Sequence, residues 1–154
     1  MKTWIEIINE SNENFELDKD GDIFIENGKF RDLSGAPKKV TGDFFCIKGN
    51  LTSLKGCPES IGGKFNVMDN KLTSLKDCPK SVGNHFDCSY NKLTSLKGCP
   101  AIINGSFVCS NNDLTSLDGC PKEVKGEFII INNKKQFTKE EIEAVCKVKK
   151  LISV

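Results

Sequence analysis

Residues 84–104 read NHFDCSYNKLTSLKGCPAIIN, and the stretches on either side, 63–83 (GKFNVMDNKLTSLKDCPKSVG) and 105–125 (GSFVCSNNDLTSLDGCPKEVK), repeat their pattern. Another full copy occupies 42–62 (GDFFCIKGNLTSLKGCPESIG), a degenerate one 21–41, and a half-copy, GEFIIINN, starts at Gly126. All five prolines obey the same period: Pro37, Pro58, Pro79, Pro100 and Pro121 are each 21 residues after the last. A single globular core imposes no such spacing, whereas one small unit stacked along an axis does.

Two kinds of stretch alternate within a unit. Phe86-Asp87-Cys88 and its equivalents alternate apolar and polar, the period of a strand, and a Gly or Asn two places before the Phe turns the chain into it. The Leu-Thr-Ser-Leu…Cys-Pro stretch is too short for a long helix, and proline removes a backbone donor there, so this side reads as extended or polyproline-like. Val82, Phe86, Cys88, Leu93, Leu96 and Cys99 point inward, and only neighbouring coils can bury them.

The run Val-x-x-x-Phe-x-Cys-x-x-Asn-x-Leu-x-x-Leu resembles a leucine-rich repeat, with Phe and Cys at the two strand positions that Leu usually holds. The 21-residue period and proline-marked return are similar to the short bacterial class. The phrase Leu-Thr-Ser-Leu-Lys-Gly-Cys-Pro resembles arrays encoded by tailed bacteriophages. The resemblance implies an α/β solenoid arc with six strands, near 22–26, 43–47, 64–68, 85–89, 106–110 and 127–131, forming one parallel sheet about 24 Å long. The ladder asparagine of such repeats corresponds to Asn70, Asn91, Asn112 and Asn133; Gly28 and Gly49 replace it in the first two copies, which predicts looser stitching there.

The division expected is an N-terminal cap over 1–20, the array over 21–133 and a C-terminal cap over 134–154, all one domain. Thr138-Lys-Glu-Glu141 is a capping-box start, and Ile142, Val145, Cys146 and Lys149 follow at helical spacing, predicting a helix over 139–150. Phe15 and Leu17, the turn Asp18–Gly21, then Ile23 and Ile25 predict a hairpin at the other end. Trp4, Ile5, Ile7 and Ile8 suit either a short helix or a strand.

Composition narrows the function classes. With 154 residues, 38% hydrophobic content and a net charge of +1, the chain has no global pull toward nucleic acid or anionic lipid. No stretch approaches the ~20 apolar residues of a membrane span, and no signal peptide opens the chain, so a cytoplasmic protein is expected (host cytoplasm, if phage-encoded). Seven of the eight cysteines recur at equivalent coil positions, and Val67 and Ile130 substitute for them in the strand row, which is how a small apolar filler behaves. Lacking Cys-x-x-Cys pairs and an export signal, they read as reduced core thiols, not zinc ligands or disulfides. His85 and Cys88 fall on opposite strand faces. Asp18, Asp20 and Asp22 read as an acidic turn, since a calcium loop needs Gly at Ile23 and an acid at Lys29. With one His and no Gly-rich phosphate loop, no enzyme, cofactor or metal is expected.

Function is therefore expected on the outward strand positions, where the copies disagree. One column runs Phe24, Phe45, Asn66, Asp87, Val108, Ile129; the next runs Glu26, Ile47, Met68, Ser89, Ser110, Ile131; beside them lie Asn27, Lys48, Asp69, Tyr90, Asn111 and Asn132, with His85 on the leading edge. Phe24, Phe45, Ile47 and Met68 would form an apolar patch, Asn66, His85, Asp87 and Tyr90 a polar centre, and Val108 with Ile129 a second apolar zone, with Asn111 beside it. The expectation is a non-enzymatic module whose concave sheet grips a protein partner. The phage resemblance implies an inhibitor or modulator of a host defence or regulatory protein. A structural or assembly accessory is the alternative. A nucleic-acid binder is less favoured, because Asp118 breaks the Lys55, Lys76, Lys97 row and the aromatic side chains lie on another face.

Overall fold

The computed structural model describes residues 15 and 17–152; the expectation for Trp4 to Ile8 lies outside the described residues. The chain winds as a parallel β-solenoid of about six turns. In each turn the inward strand residue, Ile23 in the first and Phe in the others, is preceded by a tight bend and followed by a left-handed residue, so only a short extended piece fits between them. The first row of strands is β1 (Ile23–Glu26), β3 (Phe44–Ile47), β5 (Phe65–Asn66), β7 (Phe86–Asp87), β9 (Phe107–Val108) and the second half of β10 (Glu123–Ile129). The register is set by the repeat: Phe44 pairs with Phe65, Phe65 with Phe86, and Phe86 with Phe107, all parallel.

A second row was not foreseen. The residues after each proline also pair in parallel, as β2 (Lys39–Val40), β4 (Ser60–Ile61), β6 (Ser81–Val82), β8 (Ile102–Ile103) and the first half of β10. Both rows belong to one sheet because β10 runs unbroken through the bend and pairs with β8 and β9. The bend lets coil backbones approach so closely that a Cβ at Gly83 would collide with the Gly62 carbonyl oxygen. The Leu-Thr-Ser-Leu stretches form no regular element.

The core is a set of columns running along the solenoid. Phe44, Phe65, Phe86, Phe107 and Phe128 are all 0% exposed. Their ring centroids step at 5.8, 5.0, 5.3 and 5.2 Å, mostly stacked. Phe15 closes the column from the N-terminal side, 6.3 Å from Phe44 and 5.1 Å from Phe30. The paired leucines of each coil, such as Leu93 and Leu96, are buried beside the rings, as are Val82 and Cys88.

The asparagines bind successive coils through their side chains. Asn91 accepts the Leu72 N–H at 2.9 Å and donates to the carbonyls of Val67, Cys88 and Ser89 at 3.0 to 3.2 Å. Asn70 and Asn112 repeat the pattern at the same offsets, and Asn133 accepts the Leu114 N–H at 3.3 Å. Where asparagine is missing the outcome corrects the expectation of looser stitching. Coils with Gly28 and Gly49 keep the backbone ladder going for four residues, Ile23 to Glu26 against Phe44 to Ile47. In the coils from β5 to β9 the regular strand is two residues long; backbone bonds continue beyond it, as from Val67 N–H to the Asp87 carbonyl at 2.9 Å, and an asparagine amide takes a carbonyl such as that of Val67.

Both ends differ from expectation. The predicted helix over 139–150 is one short helix, α1 (Lys139–Glu143), closed at its start by the Thr138/Glu141 capping box. The chain then forms β11 (Lys147–Ile152), which pairs in parallel with β10 and adds one more strand to the sheet. Val145, expected on a buried helical face, is exposed, because the helix has ended. At the N-terminus the turn at Asp18–Gly21 is present, with Asp18 N–H on the Asp22 carbonyl at 2.9 Å, but no strand precedes it among the described residues.

Two stability tests follow from the columns. Phe86→Ala removes a ring that is fully buried between two others and is expected to cost about 3–5 kcal/mol, whereas Phe45→Ala, half-buried, costs about 1–2 kcal/mol. Equal losses in urea unfolding would contradict the assignment of strand faces. Asn91→Ala strands the buried Leu72 N–H and takes one of two donors from the Val67, Cys88 and Ser89 carbonyls, and is expected to lower stability by about 1–3 kcal/mol in the same assay.

Candidate protein-interaction face

With Phe44, Cys46 and their equivalents turned inward, alternation turns the next residues out. Phe24 is 42% exposed and Phe45, Asn66, Asp87, Val108 and Ile129 are half-buried. The register sets these residues side by side: Phe24 opposite Phe45, Phe45 opposite Asn66, Asn66 opposite Asp87, and Asp87 opposite Val108. The Phe24 and Phe45 rings meet at 5.5 Å between centroids. Ile47 and Met68, both half-buried, continue the apolar zone beside them.

The second outward column corrects the expectation in its middle. Ser89 and Ser110 are only 3% and 4% exposed, so they serve the fold and are not presented to a partner. Ser89 donates its hydroxyl to Asp87 Oδ1 at 2.5 Å, and the Ser89 N–H reaches the same oxygen at 2.9 Å. Ser110 Oγ accepts the Ile131 N–H at 3.1 Å. Asn66 likewise accepts the Met68 N–H at 2.9 Å. Asn66 and Asp87 thus do two things at once: they face outward, and they capture the N–H two residues on, diverting it from the preceding coil.

Beside these columns the backbone turns left-handed in every coil. Asn27, Lys48, Asp69, Tyr90, Asn111 and Asn132 all have φ between 50° and 57°. Asn and Asp tolerate this conformation; an aromatic residue there is a rarity. Tyr90 is nevertheless 55% exposed in the middle of the row. Lys48 is anchored to Glu26 at 2.8 Å, and Asn111 Oδ1 accepts from Asn132 Nδ2 at 3.2 Å. His85, exposed on the leading edge, accepts the Ser106 N–H on Nδ1 at 2.7 Å, which leaves the proton of a neutral ring on Nε2. The left-handed row and the double duty of Asn66 and Asp87 were missed by alternation alone. The recurring Asn/Asp at the position after the strand was the available signal.

The remaining chemistry of the coils is accounted for by packing and turns. Burial pushes the Cys46 thiol up to about 12 and raises those of Cys57, Cys78, Cys88, Cys99 and Cys109, which keeps them protonated and inert. Asp18 Oδ1 accepts the N–H groups of Asp20 and Asp22, and Asp22 Oδ1 that of Asp43, so these carboxylates close a turn and bind a neighbouring coil. On the Lys55, Lys76, Lys97 row, Lys97 is paired with Asp118 at 3.4 Å. Among the described residues no helix is long and apolar enough to cross a membrane. Comparison with protein-family models, curated proteins and solved structures returned no match.

The double role of Asp87 is testable. Asp87→Ala deprives the buried Ser89 N–H and hydroxyl of their acceptor and is expected to cost about 1–3 kcal/mol. Asp87→Asn, which reproduces what Asn66 does one coil earlier, is expected to retain most of that stability in thermal denaturation.

Proposed function

We propose that this protein is a non-enzymatic binding module that grips a folded protein partner with the outward strand face running from Phe24 to Val108. The observation that carries this reading is Tyr90. Its column is otherwise Asn, Asp or Lys, its φ is 54°, and its ring is more than half exposed. A left-handed backbone costs an ordinary L-residue roughly 1–2 kcal/mol, less for Asn or Asp, and an exposed ring returns little of that to the fold. Strain kept at an exposed aromatic position is what a recognition residue looks like. Around it the face has the composition of an interface: an apolar zone at Phe24, Phe45, Ile47 and Met68, then Asn66, Asp87, His85 and Asn111 with polar atoms toward the rim, then Val108.

The same reading takes the coils as short leucine-rich repeats, on the strength of the Phe-x-Cys-x-x-Asn-x-Leu-x-x-Leu phrase and the asparagine ladder. It takes the partner as a bacterial host protein, of a defence or regulatory kind, on the strength of the phage-like Leu-Thr-Ser-Leu-Lys-Gly-Cys-Pro phrase. The returning side supports nucleic-acid binding poorly, because its lysine row is interrupted by Asp118 and carries no aromatic platform.

The test is affinity capture from bacterial lysate with the wild type, the Phe45→Ser/Met68→Ser double variant and Tyr90→Asn, each checked for folding. A partner retained by the wild type and lost by both variants is expected. Tyr90→Asn is expected to unfold at an equal or higher temperature than the wild type, by about 0.5–1 kcal/mol of added stability, while losing the partner. Partner retention by both variants would leave the array as a spacer, with this face uninvolved.

A further inference from the structure

The two ends of the stack are finished differently. At the N-terminal end Ile23, first in its column, is 1% exposed, and Phe15 closes the phenylalanine column. At the other end β11 takes the place of a further turn. Val148 pairs with Val124 and Leu151 with Phe128, so both continue inward columns. Val124 and Phe128 are buried because β11 lies over them, whereas Val148 and Leu151 are only half-buried. α1 tucks Ile142 into the core but leaves an open groove of about 520 Å³ beside β11, walled by Lys139, Glu143, Val148 and Leu151.

Backbone geometry leaves the same end open. β10 pairs on both edges, with β8 and β9 on one and β11 on the other, but β11 pairs with β10 alone. Along the second edge of this six-residue strand, N–H and C=O groups point away from the sheet. Among the described residues no strand takes them.

Charge selects the occupant. From 144 to 154 the chain carries Lys147, Lys149 and Lys150 and no acidic residue. Lys147 and Lys150 lean on Glu123 and Glu127 of β10 at 3.2 and 2.5 Å, while the exposed Lys149 has no ion pair among the described residues. The acid in the groove, Glu143, is held by Lys139 at 3.7 Å. A second copy fits poorly. Antiparallel pairing of β11 with itself, in the registers that overlap most, sets Lys149 opposite Lys149 or Lys150, and facing like charges oppose pairing. Lysine on a free edge thus guards against the protein's own copies and favours a strand of opposite charge.

We infer that the free edge of β11 is a docking site for an acidic extended segment of a partner protein, which adds as a further strand along residues 149–152. Its backbone completes the open hydrogen bonds, an apolar side chain covers Leu151, and carboxylates lie beside Lys149 and Lys150. This site is separate from the outward strand face, and neither needs the other.

Full-length protein is titrated with a short fluorescein-labelled peptide alternating glutamate and valine, followed by anisotropy. Two matched peptides carry lysine for glutamate, or methyl groups on the backbone nitrogens. The glutamate peptide is expected to bind, less tightly as salt is raised, and both matched peptides to bind at least about tenfold more weakly. Hydrogen exchange read by mass spectrometry is expected to slow over residues 147–152 in the complex and not on the outward strand face. Lys149→Glu, checked for folding by thermal denaturation, is expected to turn the preference toward the lysine peptide. The proposal is overturned by no binding of the glutamate peptide, by equal binding of the methylated one, by protection on the outward face, or by an unchanged preference in folded Lys149→Glu. Self-association of the free protein that slows the same amides would also overturn it, giving the edge to a second copy. The wild-type titrations decide the matter even if the variant fails to fold.

Discussion

A single turn of this solenoid cannot bury its own phenylalanine. Phe86 reaches 0% exposure only because Phe65 and Phe107 lie against its two faces, and the same holds along the column from Phe44 to Phe128. Every ring depends on its neighbours being in the same place in their own turns. That requirement fixes the repeat length, because one residue more or fewer would throw the ring out of its column and turn every strand side chain to the opposite face. It also divides the sequence into positions that must agree from turn to turn and positions that need not. The outward columns belong to the second kind. Phe, Asn, Asp, Val and Ile therefore succeed one another opposite the same partner without disturbing the stack.

Two ways of stitching one turn to the next are used in the same sheet, and the choice shapes the candidate face. In the first turns the backbone ladder runs for four residues, so Phe24 and Phe45 sit on regular strand and present rings side by side. At Asn66 and Asp87 a side-chain oxygen captures the N–H two residues ahead, and a buried asparagine amide donates to the carbonyl left over in the preceding coil, that of Cys46 or Val67. The residues that make this switch are themselves polar and outward-facing. An apolar region beside a polar one is thus the surface expression of how the backbone hydrogen bonds are closed underneath.

What was legible in the chain was whatever the repeat wrote several times. The 21-residue period, the inward Phe and Leu, the register and the ladder asparagine could all be read because aligned copies average out local ambiguity. The second strand row could not. Ser60–Ile61 and Ser81–Val82 are two residues long, too short for alternation to register, and they are strands only because identical neighbours lie alongside. The C-terminal segment failed for the opposite reason: it occurs once. Ile142, Val145, Cys146 and Lys149 have helical spacing, yet the free edge of β10 offers backbone partners all along its length, and the chain from Lys147 takes them. Ser89 and Ser110 were placed outward by simple alternation, which ceases to apply where the ladder ends at Asp87 and Val108.

Position along the stack also governs cysteine chemistry. A thiol in the middle of the array, such as Cys88, has a turn on either side; it is buried and donates to the Val108 carbonyl at 3.5 Å, so the proton stays on sulfur. At the end of the stack there is no further identical turn. The chain must instead close the core with a short helix and one added strand, and that irregular joint brings together groups the repeat would have kept apart. Cys146 lies where the period breaks, buried under the closing segment with its thiol on the Lys147 carbonyl. The contrast with Tyr90 is instructive. In the interior, individuality is confined to outward positions, where a strained aromatic can be displayed without cost to neighbouring turns; at the terminus, individuality reaches the core itself, where α1 and β11 replace the next identical turn.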